Sequence, residues 1–317
     1  MENKTITLTL DDATILKMVE FYNDFVSECS NEYVYKLFKC DKVTITIYTS
    51  KKVVFQGENA TYEASIWDNS LLSELNLESN DKKEEKKEKK KIEKEPKEWF
   101  YTKDHIGSDE VGTGDYFGPM CVCAAYVKES DIEFLNKLGI DDSKKINDET
   151  IKKIAPHLLK RIPYSQMSVD PKKYNSLIKQ GYNQAKIKAM LHNQVIHNLR
   201  DKVNKRAALT VIDQFISETR YYEYVKFSPY IEGQIRFETK AESKYPAVAA
   251  ASIIARYSFL MKMKAMGESI NKEFPKGAGK EVDVFGIELV NEHGEAILNE
   301  YAKVHFANTQ KILPKQD

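Results

Sequence analysis

A run of charge from Ser79 to Glu98, SNDKKEEKKEKKKIEKEPKE, limits what this chain can fold into more than any other feature. It holds almost nothing that a hydrophobic core could use, so burial cannot offset the entropy lost in ordering it. The chain is therefore expected to fold as two units, residues 1–78 and 99–317, joined by a charged linker over residues 79–98. Pairs such as Glu85 with Lys89 suit a solvated helix that stops near Pro96, and a disordered tether suits the composition equally. Either form spans on the order of 25 Å, so both units can meet one ligand while folding separately.

With 42% apolar residues in a length of 317, the flanks have material for one large domain and one small one. Lys plus Arg and Asp plus Glu number 48 each. No whole-molecule field gathers polyanions, and any contact with nucleic acid has to come from local patches. Cys29 and Cys40 stand alone, and Cys121 and Cys123 have neither C-x-x-C nor finger spacing. They read as reduced, mostly buried thiols of a cytoplasmic protein. The opening MENKTITLTLDD lacks a basic stretch followed by an apolar run, and no apolar stretch reaches about 18 residues. Neither secretion nor membrane spanning is expected, and no obligate protein partner is indicated.

The N-terminal part reads as a small α+β unit. A strand over Thr5 to Leu10 precedes a helix capped by Asp11 or Asp12, with Ile15, Val19, Tyr22 and Val26 at helical spacing. VTITIYT then alternates, with Val43, Ile45 and Ile47 on one face and Thr44, Thr46 and Tyr48 on the other, and Ser50, Lys51 and Lys52 turn it into VVFQG. The hydroxyl-bearing face with its lysines suits a sugar-phosphate backbone, and it also suits an ordinary solvated sheet.

From Trp99 onward strands and helices alternate, as in an α/β domain. HIGSDE and AALTVID read as buried strands ending in acids, and Tyr182 to Arg200 and Pro246 to Met266 as helices, the second alanine-rich for close packing on the sheet. Asp109 and Glu110 end the first strand, one residue before Gly112-Thr113-Gly114. Two unit charges about 4 Å apart repel by about 4 kcal/mol at an effective dielectric near 20. Hard divalent cations with a preference for carboxylate oxygen relieve that repulsion. Asp213 ends the second strand, and Glu242 lies just before or at the start of the alanine-rich helix. Singly, each acid is accounted for as a loop, turn or first-turn helix residue. Together they supply enough oxygen for two metals about 4 Å apart, the arrangement of in-line phosphodiester hydrolysis.

The glycines do not make a dinucleotide site, because Gly112, Gly114 and Gly118 are spaced one residue too long and no suitable helix follows. They do allow backbone groups to approach a sugar-phosphate chain, where they can test for a ribose 2′-hydroxyl.

The strings GSDEVGTGDYFGP, DDSKKI, VIDQF, KAESKYPAVAAASIIAR and HFANTQ occur in this order between Trp99 and Leu313. They resemble those of bacterial type 2 ribonucleases H, and in particular the ribonuclease HIII family, whose members also carry an N-terminal domain similar to the TATA-binding-protein fold. The resemblance implies a ribonuclease-H-like mixed sheet with flanking helices, preceded by that small α+β domain. It implies that Asp109, Glu110, Asp213 and Glu242 are catalytic and hold Mg²⁺, with Mn²⁺ as a possible substitute. It also implies that Gly112, Thr113 and Gly114 line an RNA–DNA hybrid at the cut, and that Ser143 and Lys144 lie near its phosphates. The expected activity is two-metal endonucleolytic cleavage of the RNA strand, leaving 5′-phosphate and 3′-hydroxyl ends.

One departure separates this chain from the sister ribonucleases HII, which have Arg between the two glycines and a tyrosine that helps read the junction after a single ribonucleotide. Thr113 stands at the Arg position, so runs of ribonucleotides are expected to be preferred over isolated ones. The rival activities are cleavage at single embedded ribonucleotides and non-catalytic hybrid binding. His192 and His197, five apart, miss the spacing of a helical metal pair and read as ordinary helix residues. Lys172, Lys173, Lys186 and Lys188 read first as a solvated helix face and second as phosphate contacts.

Overall fold

The computed structural model describes residues 4–40, 42–68, 70–71, 99–140, 146–204 and 209–313. The expected linker, with its helix ending near Pro96, lies outside the described residues. The chain divides into two compact units, Met1–Glu85 and Lys86–Asp317.

In the N-terminal unit the order is β1 (Lys4–Thr9), α1 (Asp12–Phe21), β2 (Val26–Ser27), β3 (Val34–Cys40), β4 (Val43–Tyr48), β5 (Lys52–Gly57) and α2 (Ala60–Trp67). The strands form one antiparallel sheet, β1-β5-β4-β3-β2. Asp11 caps α1, its Oδ1 accepting from the Thr14 amide at 2.7 Å. Ile15, Met18 and Tyr22 are buried, but the helix stops at Phe21 and does not carry its stripe on to Val26. Val26 instead opens β2 opposite Phe38, and there it is exposed. Edge pairing with β3 outweighed the helical spacing. The hairpin has the expected alternation, with Val43, Ile45 and Ile47 buried and Thr44, Thr46 and Tyr48 half-buried on the other face. Lys51 is drawn to Asp12, with Nζ at 2.7 Å from its carboxylate, while Lys52 stays exposed.

In the C-terminal unit the order is β6 (His105–Val111), β7 (Met120–Val127), α3 (Ile132–Lys137), α4 (Asp148–Arg161), β8 (Tyr164–Val169), α5 (Pro171–Lys179), α6 (Gln184–Val203), β9 (Leu209–Asp213), α7 (Glu218–Val225), β10 (Ile235–Glu238), α8 (Pro246–Ile270), α9 (Lys280–His293), α10 (Ile297–Tyr301) and α11 (Ala307–Ile312). The sheet order is β10-β9-β6-β7-β8, with β10, β9 and β6 parallel and β7 and β8 antiparallel to their neighbours. Among the described residues no helix is long and apolar enough to cross a membrane. All four cysteines are free thiols; Cys121 and Cys123 are buried in β7, Cys40 is half-buried, and Cys29 is exposed.

Strand β6 is sandwiched between α8 and α6, and its period of two decides which residue meets which helix. Ile106 packs with Ile187, Leu191 and Val195 of α6. His105 and Gly107 meet the start of α8. A Cβ on Gly107 would stand 2.2 Å from the Val248 nitrogen, so only glycine lets strand and helix approach this closely. His105 accepts from the Ala247 amide on Nε2 at 3.1 Å and contacts the Lys103 carbonyl through Nδ1 at 2.7 Å. The neutral ring thereby satisfies an amide in the first turn of α8.

Burial holds His105 down at about 4, against an ordinary value of 6.5. A histidine depressed in the folded state contributes stability that is present above 6.5 and lost as pH falls through 6.5 towards 4. The C-terminal unit is therefore expected to lose about 2 kcal/mol from this residue between pH 7.5 and 5. Urea denaturation at the two pH values checks this, and His105→Gln should flatten that part of the slope.

Candidate active site

The pairing of β6 with β9 runs as far as Ser108 opposite Ile212. One residue further on, Asp109 comes beside Asp213, on neighbouring parallel strands about 4.8 Å apart. Both leave the sheet on its α8 face. Asp213 accepts the Ala241 amide on Oδ1 at 2.9 Å, and Asp109 is hydrogen-bonded by Ser252 of α8. Burial, reinforced by the charges of Glu110 and Asp213, holds the Asp109 carboxyl well above the usual carboxylate range. Glu242 is buried in the 3-10 turn Ala241–Ser243, one residue after the amide that grips Asp213 and just before α8. Glu238 of β10 stands opposite Asp213 on its other side, but Lys244 pairs with it.

Glu110 goes the other way. The strand period that sends Asp109 towards α8 turns Glu110 towards α6, where both its oxygens are taken: Oε1 by the Lys188 ammonium and Oε2 by His192 Nε2 at 2.8 Å. Burial pushes the Glu110 carboxyl up, but His192 and Lys188 outweigh it and hold it below its ordinary value. His192 is fully buried; its Nδ1 meets Ser108 Oγ at 2.7 Å, and that hydroxyl donates to the Cys123 carbonyl at 2.8 Å. Phe215 stacks on the His192 ring with centroids 5.2 Å apart, and the Lys188 ammonium lies 4.1 Å above Phe215.

From sequence His192 reads as an ordinary helix residue and Lys188 first as part of a solvated helix face and second as a phosphate contact; the fold sets both on Glu110. The usable signal was the four-residue spacing from Lys188 to His192, which puts them on one helix face, whereas the pair His192 and His197 carries no such meaning. His197 belongs elsewhere, stacked on Tyr230 and hydrogen-bonded to Glu232 at 2.8 Å.

The glycine segment follows β6. Gly112 has φ +92°, and a Cβ there would stand 2.1 Å from the Pro119 carbonyl oxygen, so this chain's own packing demands glycine at that position. Gly114 has open space around it, leaving room for a ligand backbone. Gln184, at the start of α6, donates to the Thr113 carbonyl at 2.8 Å. Asp115 accepts the Gly277 amide at 2.6 Å, and the buried Lys303 donates to the Gly118 carbonyl at 2.5 Å. Those contacts clamp the loop from three sides. Ser143 and Lys144 lie outside the described residues.

The donor set is all carboxylate oxygen, which suits a hard divalent ion, and the crowding of like charge around Asp109 is of the kind that such an ion relieves. Among the described residues, however, no three His, Cys, Asp or Glu side chains already stand together as a ligand cage. In β6, Asp109 and Glu110 are aimed at opposite helices.

A mixed sheet whose adjacent parallel strands end in carboxylates is a ribonuclease-H-like arrangement, and a family model described as ribonuclease HII matches residues 106–309. A second model, for a domain of unknown function, matches residues 5–91. The ribonuclease HIII of Bacillus subtilis (strain 168) is 43% identical over 269 residues, 84% of each chain, and that of Bacillus licheniformis is 39% identical over 305 residues, 96% of each. A crystal structure of Bst-RNase HIII in complex with Mn²⁺ superposes with a TM-score of 0.65 at 34% identity, covering 98% of each chain. The chain belongs to the ribonuclease HIII family. Aquifex aeolicus RNase H3, 20% identical with a TM-score of 0.53, shares the fold.

Proposed function

We propose that this protein is an endonuclease that hydrolyses the RNA strand of RNA–DNA hybrids in the cytoplasm, with Asp109, Glu110, Asp213 and Glu242 as its catalytic carboxylates. The observation that carries the reading is the strand register that sets Asp109 beside Asp213, with Glu110 and Asp213 crowding charge onto Asp109. These four acids would hold Mg²⁺, or Mn²⁺ in its place. When bound, two such ions supply an activated water and stabilise the leaving 3′-oxygen, which gives 5′-phosphate and 3′-hydroxyl ends.

The chain's own groups orient and select. The Ala241 amide fixes the Asp213 carboxylate, and Gln184 fixes the loop from which Gly112, Thr113 and Gly114 present backbone groups to ribose 2′-hydroxyls. Ser143 and Lys144 serve the phosphates. The direct test is digestion of a labelled hybrid with and without chelator. An all-DNA duplex should bind through its phosphates and remain uncut, because its scissile phosphate is not positioned. Thr113 lacks the guanidinium fork with which an Arg grips a phosphate, so initial rates should be several-fold higher on a run of about four or more ribonucleotides than on one embedded ribonucleotide. Equal or reversed rates would reassign the activity to the ribonuclease HII type while leaving the metal chemistry standing.

The N-terminal unit is read as a second hold on the duplex, supported by the Thr44, Thr46 and Tyr48 face with the exposed Lys52 at its edge. Each phosphate neutralised contributes roughly −0.9 to the slope of log affinity against log salt. A chain beginning near Lys97 is expected to keep its chemistry, bind hybrid more weakly and show a shallower slope. Unchanged affinity and slope would make that face an ordinary solvated surface.

A further inference from the structure

Helix α6 presents Gln184, Lys188 and His192 four residues apart, hence on one face, and this face reaches both the glycine segment and Glu110. The two cationic partners of Glu110 differ in freedom. His192 is fully buried, tied to Ser108 and stacked on Phe215, so it has nowhere to go. Lys188 reaches Glu110 on a four-carbon stem, and the Phe215 ring, already 4.1 Å from its ammonium, gives the cation a contact that needs no carboxylate. The side chains of Lys188 and Glu110 are each only 11% exposed, so their attraction is little screened by solvent.

We propose that Lys188 is a tethered competitor for the divalent metal: it occupies Oε1 of Glu110, must leave that oxygen for Glu110 to ligate, and thereby sets the metal affinity of the site. The proposal rests on the reading of Glu110 as a metal ligand. Its physical content is charge competition. A carboxylate already neutralised by an ammonium binds a cation less tightly than a bare one, and the ammonium, held by its stem, is never diluted away. His192 stays on Oε2 of Glu110 while Lys188 gives up Oε1 and keeps its contact with the Phe215 ring. Lys188 is thus a positioning residue, acting on the reaction through Glu110.

The test is Mn²⁺ binding to the full chain, read by calorimetry or by the electron spin resonance of free Mn²⁺ with no nucleic acid present. Lys188→Met should bind Mn²⁺ about tenfold more tightly than wild type, which corresponds to about 1.4 kcal/mol. Lys188→Arg keeps a cation on Glu110 and should stay within about threefold of wild type. Unchanged or weaker Mn²⁺ binding by Lys188→Met would overturn the proposal.

A second measurement needs no variant. Acetylation of the Lys188 amine in wild-type protein, mapped by peptide mass, should speed up when Mg²⁺ is added, and no change in its rate would also overturn the proposal. Asp213→Asn separates the two readings. If wild type shows no Mn²⁺ site that Asp213→Asn removes, the assignment of the carboxylates fails; if that site exists and Lys188→Met does not tighten it, only the role of Lys188 fails.

Discussion

Asp213→Asn is expected to abolish cleavage, by about 10³-fold or more, while hybrid affinity stays within a few-fold. The substitution removes one of two adjacent charges on the α8 face of the sheet but keeps an oxygen that can accept the Ala241 amide, so the turn carrying Glu242 is not released. A loss of several kcal/mol of charge stabilisation at the reacting phosphate corresponds to a rate effect of about that size. Single-turnover rates and binding measured on the same labelled hybrid decide it. Retention of full magnesium-dependent cutting would remove Asp213 from the mechanism. Glu242→Gln should be milder if Glu242 holds its metal partly through water, and a loss equal to that of Asp213→Asn would make it a direct ligand.

The largest expected effect on stability comes from a residue with no chemistry. Gly107→Ala puts a methyl group 2.2 Å from the Val248 nitrogen, 2.4 Å from the Ala247 carbonyl carbon and 2.7 Å from the Val248 Cα, all of them backbone atoms. No side chain can yield, so either β6 or α8 has to shift. Overpacking a core costs about 1–3 kcal/mol when side chains can adjust, and here the cost should exceed about 3 kcal/mol. A shift of either element also separates Asp109 from Ser252 or from Asp213, so activity should fall together with the urea midpoint of the C-terminal unit. A midpoint equal to wild type would mean that strand and helix are not packed this tightly.

Periodicity and motif order made much of the molecule legible. The alternation of VTITIY reported its buried face, because among the described residues one side of that strand is fully buried and the other only half-buried. The acids ending HIGSDE and ALTVID stood out because charge is costly beside apolar strand residues, and the alanines after Pro246 marked a helix that lies close on the sheet. Local spacing misled where a tertiary partner intervened. Val26 has helical spacing from Tyr22, but pairing with Phe38 drew it into an edge strand.

What sequence alone determined is therefore local: which segments are strands or helices, which residues carry the charge, and that charge gathers at strand ends. What only the tertiary structure decided is who faces whom. Asp109 and Glu110 are neighbours in the chain, yet the period of two sends one to α8 and the other to α6, and no spacing rule says which helix covers which face. Asp213, far along the chain, comes beside Asp109 only through the parallel register of β6 and β9. Lys188 and His192 changed from ordinary helix residues into the grip on Glu110 because α6 crosses that face of the sheet at their level. The physical reason is that a carboxylate's partners are set by proximity in space, and proximity between distant segments is fixed by how helices pack on a sheet, which sequence spacing does not encode.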